Sequence, residues 1–182
     1  MIRAITPRPI AWVSSVSAAG VPNLAPFSYF NGVSTNPAAL MFSAVNKSDG
    51  SKKDTVRNIE STKQFVVNIV PHSVAEKMLV TAGDFEFEIN EFEKAGLTER
   101  SSHRVDVPSV VESPIQFECE LMQIVNIGEG PLAANVIFGR ILLISIFDSV
   151  LTNDKIDPAL VDSIGRMGGR DYCRTTERFT LG

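Results

Sequence analysis

The chain has 182 residues, a length that fits one domain with enough residues to bury a sizeable core. Hydrophobic residues make up 44% and charged residues 21%, a balance typical of globular proteins that excludes disorder of the whole chain. The net charge is -4 and the basic residues are scattered, which argues against binding to a nucleic-acid backbone. A local basic pocket for one small phosphate remains open.

The first part of the chain reads as a series of short strands. Residues 10–17 are rich in β-branched and aromatic side chains and end in a Gly-Val-Pro turn. Residues 24–34 form a second strand-like run, and residues 39–45 form a third after an Asn-Pro break. Because the three runs follow one another at about ten-residue spacing, they favour a barrel or a sandwich over β-α-β units.

The middle of the chain changes to helical spacing. Val56 and Ile59 lie three positions apart, which predicts a short helix, and either Ser51 or Asp54 is expected to cap its start. The elements predicted here are a loop at 46–53, a helix at 54–62, a strand at 64–70 and a helix at 74–82.

The last part contains the two longest strand candidates, which a Gly-Glu-Gly-Pro connection joins like a hairpin. The elements predicted here are a charged surface loop at 84–106 with a short helix at 90–95, strands at 115–127 and 134–147, and a tail from 157 that is too rich in glycine for a regular helix. The fold class is therefore all-β to α+β: one domain over residues 1–182, with a β-barrel of about six strands and short inserted helices.

The cysteines and the hydropathy bear on the compartment. Cys119 and Cys173 stand in no metal-ligand spacing and only two histidines could assist them, so we expect no metal site and a reducing compartment. No stretch approaches the roughly 20 apolar residues that span a bilayer, and the start lacks the apolar region of a signal peptide. We expect a cytoplasmic protein that has no contact with membranes. Strand-like sequence begins almost at once, so a short N-terminal segment is expected to be missing.

The usual catalytic motifs are absent from the sequence. There is no GxSxG, HExxH, GxGxxG or P-loop pattern, and neither histidine lies beside an obvious nucleophile. A chain this poor in catalytic side chains suggests that a cofactor carries the chemistry, so no catalytic residue is predicted.

The loop before the helix at 54–62 has the clearest binding logic. The first turn of a helix has unpaired N–H groups and a positive dipole end, which attract anions. Thr55 adds a hydroxyl there, and Lys53 and Arg57 add donors that suit a phosphate. The alternative is that Asp54 or Ser51 is an ordinary N-cap and that the basic side chains are solvated.

Three further segments are polar or small where a plain barrel would not need it. Ser28 and Asn31 interrupt an apolar run, and residues 42–45 end a strand with small side chains, so backbone groups could meet a flat heterocycle. The alternative for both is ordinary edge-strand or turn chemistry. The Gly168-Gly169 pair permits close backbone approach, and nearby lies Tyr172, but the alternative is a plain loop.

Together these segments resemble the flavin-reductase-like family, which binds FMN on a split β-barrel. The resemblance covers nearly the whole chain. It is carried by Thr6-Pro7-Arg8-Pro9-Ile10-Ala11-Trp12-Val13-Ser14, Asn23-Leu24-Ala25-Pro26-Phe27-Ser28-Tyr29-Phe30-Asn31, Pro37, Phe42-Ser43, Lys53-Asp54-Thr55-Val56-Arg57-Asn58-Ile59, Phe65-Val66-Val67-Asn68, Phe138-Gly139-Arg140 and Gly165-Arg166-Met167-Gly168-Gly169-Arg170-Asp171-Tyr172.

The resemblance implies a homodimer with FMN near the subunit interface. It implies that the phosphate lies near Lys53, Thr55, Arg57 and Asn58, that the ribityl chain and ring lie near Ser28, Tyr29, Phe30 and Asn31, that Ser43, Ala44 and Val45 line the ring edge, and that Gly168, Gly169 and Tyr172 approach the flavin or its nicotinamide partner. The segment 84–106 carries no part of the pattern, so substrate choice could lie there.

The implied reaction is hydride transfer from C4 of NADH or NADPH to N5 of the flavin, with the two rings within roughly 3–3.5 Å. Backbone N–H groups near N1 and the C2 carbonyl would stabilise the negative charge of the reduced flavin.

Three functions stay open at this point. The first is a flavin reductase that hands reduced flavin to a partner monooxygenase or releases it. The second is an FMN-containing electron carrier without efficient nicotinamide turnover, and the third is a ligand-binding barrel that has lost flavin.

Overall fold

The computed structural model describes residues 2–182 and is built around one seven-stranded antiparallel sheet. The strands are β1 Arg8–Pro9, β2 Ala11–Val16, β3 Pro22–Phe27, β4 Phe30–Thr35, β5 Ala38–Val45, β6 Gln64–Ile69, β7 Glu99–Arg100, β8 Ser109–Val110, β9 Ile115–Ile127, β10 Ala134–Ile146, β11 Leu151–Thr152, β12 Lys155–Ile156, β13 Ile164–Gly168 and β14 Asp171–Arg174. The helices are α1 Asp54–Thr62, α2 Ala75–Val80, α3 Glu91–Ala95 and α4 Pro158–Val161, with 3-10 turns at His72–Val74 and Asp148–Val150.

The main sheet curls until its two ends meet. Its strand order is β3-β2-β6-β9-β10-β5-β4, so β3 and β5 lie far apart along the sheet. They nevertheless pack together, because the rings of Phe27 on β3 and Phe42 on β5 lie 5.1 Å apart between centroids. Phe65 on β6 meets Phe42 edge to face at 5.6 Å and completes the barrel interior. A smaller sheet, in the order β1-β13-β14, lies beside the barrel.

A second core forms outside the barrel, where the helices α2 and α3 cover the sheet. Trp12 points to this side and is fully buried with Met78 and Phe92, while Val13 points into the barrel. The indole N–H of Trp12 donates to Thr81 Oγ1 at 2.8 Å. Because β2 is covered on both faces, its sequence lacks a clear alternation of apolar and polar residues.

One predicted strand proves to be two. The run 24–34 breaks at Ser28 and Tyr29, and its halves, β3 and β4, lie at opposite ends of the main sheet. Because of this break the main sheet has seven strands, where about six were expected. Neither residue at the break is a glycine or a proline, so the local sequence carried no turn signal.

The start of α1 also differs from the prediction. Its N-cap residue is Lys53, whose side chain makes no capping hydrogen bond, so neither Ser51 nor Asp54 caps the helix. Ser51 is engaged elsewhere, because its N–H and its hydroxyl both donate to Asp49 Oδ1. The first turn of α1 is therefore left without a side-chain cap.

Most of the other predicted elements agree with the structure apart from their ends. The structure also contains elements that were not predicted: β1, β7, β8, β11, β12 and the four-residue helix α4, which lies in the tail where no regular helix was expected. The hairpin of β9 and β10 and the short helix α3 are confirmed. In place of the predicted helix 74–82, a 3-10 turn at His72–Val74 leads into α2, whose α-helical part has only six residues. The glycine-rich tail contains β13 and β14, of which β13 also pairs with β1. Within residues 2–182, no helix is both long and apolar enough to cross a membrane.

Candidate functional site

A pocket of about 230 Å³ opens between the β3–β4 break, the end of β5 and the start of α1. Its walls combine a strand edge, a helix N-terminus and the segment that follows α2. The lining residues are Asn23, Ala25, Pro26, Phe27, Ser28, Tyr29, Ser43, Val45, Lys47, Lys53, Asp54, Thr55, Thr81, Ala82, Gly83, Asp84, Phe85 and Glu91.

The strand-edge wall is formed where the chain leaves β3. The carbonyl of Tyr29 accepts a hydrogen bond from the N–H of Ser43 at 2.8 Å, which joins the break to β5. The Nε of Arg8 donates to Ser28 Oγ at 3.3 Å, and its guanidinium lies 5.6 Å from the centroid of the Tyr29 ring. Because Arg8 is buried and lies on β1, it ties this wall to the smaller sheet.

The opposite wall is the uncapped start of α1. The N–H groups of Val56 and Arg57 both donate to the carbonyl of Lys53, at 3.0 and 3.2 Å, as the helix begins. Lys53, Asp54 and Thr55 line the pocket and precede or open the first turn. The positive end of the helix dipole and the Lys53 side chain bring groups to this wall that can bind an anion, beside the carboxylate of Asp54.

The charged side chains around the pocket are paired with one another. Lys47 Nζ lies 3.3 Å from Asp54 Oδ1, and Lys53 Nζ lies 3.9 Å from Asp84 Oδ1. The Asp84 side chain is almost wholly exposed, so water screens its attraction for Lys53 and an entering anion could replace it. Arg57 pairs with Asp54 at 3.5 Å.

A network of buried hydrogen bonds forms part of the pocket wall, since Asn23, Thr55 and Glu91 all line the pocket. The carboxylate of Glu91 accepts from Asn23 Nδ2 at 2.8 Å and from the N–H of Leu24 at 2.9 Å. Asn23 Oδ1 in turn accepts from the hydroxyl of Thr55 at 2.8 Å and from that of Ser15 at 3.2 Å. Burial raises the pKa of the Glu91 carboxyl, and the two hydrogen bonds it accepts oppose that rise. The network joins α3, β3 and the first turn of α1.

Six of the predicted site residues meet in this pocket. They are Ser28, Tyr29, Ser43, Val45, Lys53 and Thr55. Four of these come from the two strand segments and two from the helix start, so the structure brings together groups that are separated in the sequence. The hydroxyl of Thr55 already donates to Asn23 Oδ1. Thr55 therefore contributes to the wall by its position in the first turn of α1 and not by a free hydroxyl.

Five other predicted residues near these segments do not line the pocket. Phe30 packs against the barrel core, Ala44 is fully buried in it, and Asn31 is exposed on β4. Arg57 is exposed, with its guanidinium 3.9 Å from the centroid of the Phe87 ring. Asn58 is buried and donates to Ser15 Oγ at 3.2 Å, which makes it part of the supporting network. Contact of these side chains with a ligand stays a prediction.

The glycine pair and Tyr172 lie on the smaller sheet and also outside the lining. Gly168 has a φ of +113°, and a Cβ there would come within 2.9 Å of Arg3 Cγ, so the glycine admits the chain's own N-terminal segment. Gly169 has an exposed backbone whose carbonyl accepts from Arg166. The Arg166 guanidinium also stacks over the Tyr172 ring at 4.6 Å. The approach of these three residues to a ligand stays a prediction.

Several residues that line the pocket were not among the predicted site residues. Asn23 lay in a predicted turn, Glu91 at the start of a short helix, and Asp84 and Phe85 in a segment without a pattern. The segment 84–106, which carries no part of the family pattern, thus contributes Asp84, Phe85 and Glu91 to the pocket wall, and a role of this segment in substrate choice stays a prediction. Asn23 and Glu91 meet across 68 positions, a separation that local spacing does not reveal.

Comparison with known proteins places the chain in a family. Residues 2–167 match the family model described as the flavin reductase like domain. Nitrilotriacetate monooxygenase component B from Bacillus cereus superposes with a TM-score of 0.92 at 34% identity, over 98% of this chain and 89% of that one. The 2-nitrobenzoate 2-nitroreductase NbaA from Pseudomonas fluorescens superposes with a TM-score of 0.88 at 33% identity, over 100% of this chain and 87% of that one.

A more distant structure bears on the fold alone. A protein of Shewanella frigidimarina that is described by its split barrel domain superposes with a TM-score of 0.82 at 21% identity, over 96% of this chain and 85% of that one. The split β-barrel expected from the sequence is thereby confirmed. The chain belongs to the family of flavin-reductase-like domains.

Proposed function

We propose that this protein binds FMN non-covalently in the pocket between the β3–β4 break and the start of α1. One observation carries the proposal: the same pocket has an uncapped helix start with Lys53 on one wall and a strand edge rich in hydroxyl and backbone groups on the other. The first suits a phosphate and the second suits a polyol and a heterocycle. These features fit FMN better than riboflavin, which has no phosphate.

The chain's own residues would bind and orient the cofactor rather than react with it. Lys53 and the first-turn N–H groups of α1 would hold the phosphate, while Ser28 and Ser43 would offer hydroxyl and backbone partners to the rest of the molecule. Bound flavin would supply the hydride chemistry, since it can accept a hydride and pass electrons on. No side chain is proposed as a nucleophile.

The absorbance spectrum of the purified protein tests the cofactor. We expect a yellow protein that releases a flavin with the mass of FMN, or a colourless one that takes up added FMN. A protein that does neither would favour the third function, a ligand-binding barrel that has lost flavin.

The proposed reaction is the reduction of flavin by NADH or NADPH. The likeness to nitrilotriacetate monooxygenase component B supports this reaction, with a monooxygenase as the partner that receives reduced flavin. Mixing the protein with FMN and each nicotinamide, and following the absorbance of both, tests it. Oxidation of neither nicotinamide would leave the electron carrier as the function. The use of a nicotinamide and the two free cysteines, Cys119 and Cys173, both fit the proposed cytoplasmic location.

A second candidate is the direct reduction of a nitroaromatic compound. Its support is the likeness to 2-nitrobenzoate 2-nitroreductase, which extends over the whole of this chain. Adding 2-nitrobenzoate to the nicotinamide assay distinguishes the two candidates. Loss of the nitro group's absorbance together with nicotinamide oxidation would favour the nitroreductase, and nicotinamide oxidation that depends only on flavin would favour the flavin reductase.

The protein is also proposed to be a homodimer. The support is an apolar outer surface on the long hairpin of β9 and β10, where Leu142 and Ile144 are exposed. This surface continues into an apolar groove lined by Ile115, Ile146 and Val161, among others. Contiguous exposed apolar surface of this kind marks interaction sites in soluble proteins.

A further inference from the structure

Glu91 is the one charged member of the buried network in the pocket wall. Only 6% of its surface is exposed, although it lies on α3, at the start of a short surface helix. No cation pairs with it among the ion pairs of residues 2–182. A buried carboxylate without a cation is costly, so the two N–H donors from β3 must compensate for the water that it has lost.

The hydrogen bond to Glu91 fixes the orientation of the Asn23 side-chain amide. The side-chain amide of Asn23 donates through Nδ2 to Glu91, and therefore its Oδ1 must point the other way. On that side it accepts the hydroxyl of Thr55, the second residue of α1. The Asn23 side chain thus links the Glu91 carboxylate on α3 to the first turn of α1, the helix start that would bind the phosphate.

We infer that Glu91 is a positioning residue for the anion-binding end of the pocket, acting through Asn23 on Thr55. This inference rests on the proposed function, because it assigns the phosphate of FMN to the start of α1. Glu91 holds the uncapped first turn in place against β3, so that its N–H groups and Lys53 face the same ligand. Its role concerns the phosphate and not the rest of the flavin.

The test compares two ligands that differ only in the phosphate. Wild-type protein and the variant Glu91→Gln are titrated with FMN and with riboflavin, and flavin fluorescence is followed. The amide of the variant offers one acceptor to two donors, so either Asn23 or Leu24 loses its partner. We expect the dissociation constant for FMN to rise about tenfold, as for one lost hydrogen bond to a charged group, while that for riboflavin changes less than about twofold.

Two further variants make the test specific. Glu93→Gln removes the same charge from an exposed position on α3 and is expected to leave both affinities unchanged. The double variant Glu91→Gln, Asn23→Asp reverses the donor and acceptor between the two positions. The new carboxylate can accept from the new amide and from Thr55, and the amide oxygen can accept from Leu24. We therefore expect the double variant to recover FMN affinity, because the hydrogen bonds to Leu24 and to Thr55 are both made again.

The outcomes separate this inference from the proposed function. If wild-type protein binds neither flavin, the proposed function fails and the inference falls with it. If wild-type protein binds FMN and Glu91→Gln binds it equally well, or loses FMN and riboflavin to the same extent, only the positioning role is overturned. If Glu91→Gln does not fold, the double variant decides: folded protein with near wild-type FMN affinity supports the role, and folded protein with weak FMN affinity contradicts it.

Discussion

Lys53 and its neighbour Lys52 differ in what their side chains contact. Lys53 lines the pocket and faces only the exposed Asp84, whereas Lys52 pairs with Glu60 on the side of α1. Lys53 is thus free to change partners when an anion arrives, because a solvent-exposed ion pair contributes little.

The variant Lys53→Ala should therefore weaken the binding of FMN. Loss of a charge-assisted contact with phosphate costs about 1.5–3 kcal/mol, which raises the dissociation constant by roughly one to two orders of magnitude. Fluorescence titration measures this, and Lys52→Ala is the matched control, expected to bind FMN like wild type. Equal losses in both variants would mean that general charge, and not a specific contact, attracts the phosphate.

Thr55 and Arg57 give a second prediction for the same end of the pocket. Thr55→Ala removes the hydroxyl that Asn23 accepts, and Arg57→Ala removes a guanidinium that lies 3.5 Å from Asp54. We expect the double variant to bind FMN more weakly, because the first turn loses an anchor and a cation together. An unchanged affinity in the same titration would place the phosphate away from α1.

Gly139 lies against the barrel core at a position where there is no room for a side chain. A Cβ at this position would come within 2.3 Å of the Phe65 ring and 3.3 Å of Cys119 Cβ. Phe65 is fully buried, so its ring has no free space into which it could move.

Gly139→Ala should accordingly lower the free energy of unfolding by about 1–3 kcal/mol, the usual cost of overpacking a core. Urea denaturation measures it. Gly32→Ala is the control on β4, where a Cβ would meet nothing within 4 Å, and a change of only about 0.5 kcal/mol is expected there. Similar losses in both would show that strand propensity, and not contact with Phe65, sets the cost.

The buried Glu91 carboxyl on α3 makes the stability of the folded protein depend on pH. Burial holds the pKa of Glu91 above its ordinary value, and the nearby Asp54 adds to the rise. The folded protein therefore binds this proton more tightly than the unfolded chain does. The stability that this group contributes is fully present below the unfolded pKa and is lost as the pH rises through the folded pKa.

We expect this effect in a comparison of wild type with Glu91→Gln, which cannot titrate. The free energy of unfolding of wild type, relative to the variant, should fall as the pH rises from about 4 towards neutrality. Urea denaturation at a series of pH values measures the difference, and Glu93→Gln controls for the loss of an exposed carboxylate on the same helix. A relative stability that stays level or rises with pH would show that the carboxylate is as well solvated as in the unfolded chain.

The elements also show how far the sequence alone could lead. The hairpin of β9 and β10 and the helix α1 follow from local spacing and turn residues, and the anion-binding character of a helix start led to Lys53 and Thr55. The break between β3 and β4 did not follow, because it arises when the chain crosses from one end of the sheet to the other to close the barrel. Likewise, the contact of Glu91 with Asn23 exists only after α3 packs on β3, which no local pattern encodes.

The outer face of the β9–β10 hairpin is the proposed surface for assembly of the molecule into a dimer. Leu142 and Ile144 are 37% and 46% exposed, although they lie near the end of the long strand β10, next to an apolar groove. Leaving such a surface in water is unfavourable by roughly 25 cal/mol per Å². A second copy of the chain that covered about 800 Å² on each side would remove that cost and reach the size of a stable interface.

Ile144→Lys should therefore convert the proposed dimer to a monomer, because a lysine at the centre of that interface would lose its water without gaining a partner. Sedimentation velocity over a range of concentrations measures the molecular mass in solution. Leu79→Lys is the control, since Leu79 is similarly exposed but lies on α2, outside the hairpin, and the dimer should persist there. A wild-type protein that sediments as a monomer at all concentrations would contradict the dimer. If instead Ile144→Lys stays dimeric, the apolar hairpin surface is not the interface, and another face of the barrel joins the two copies.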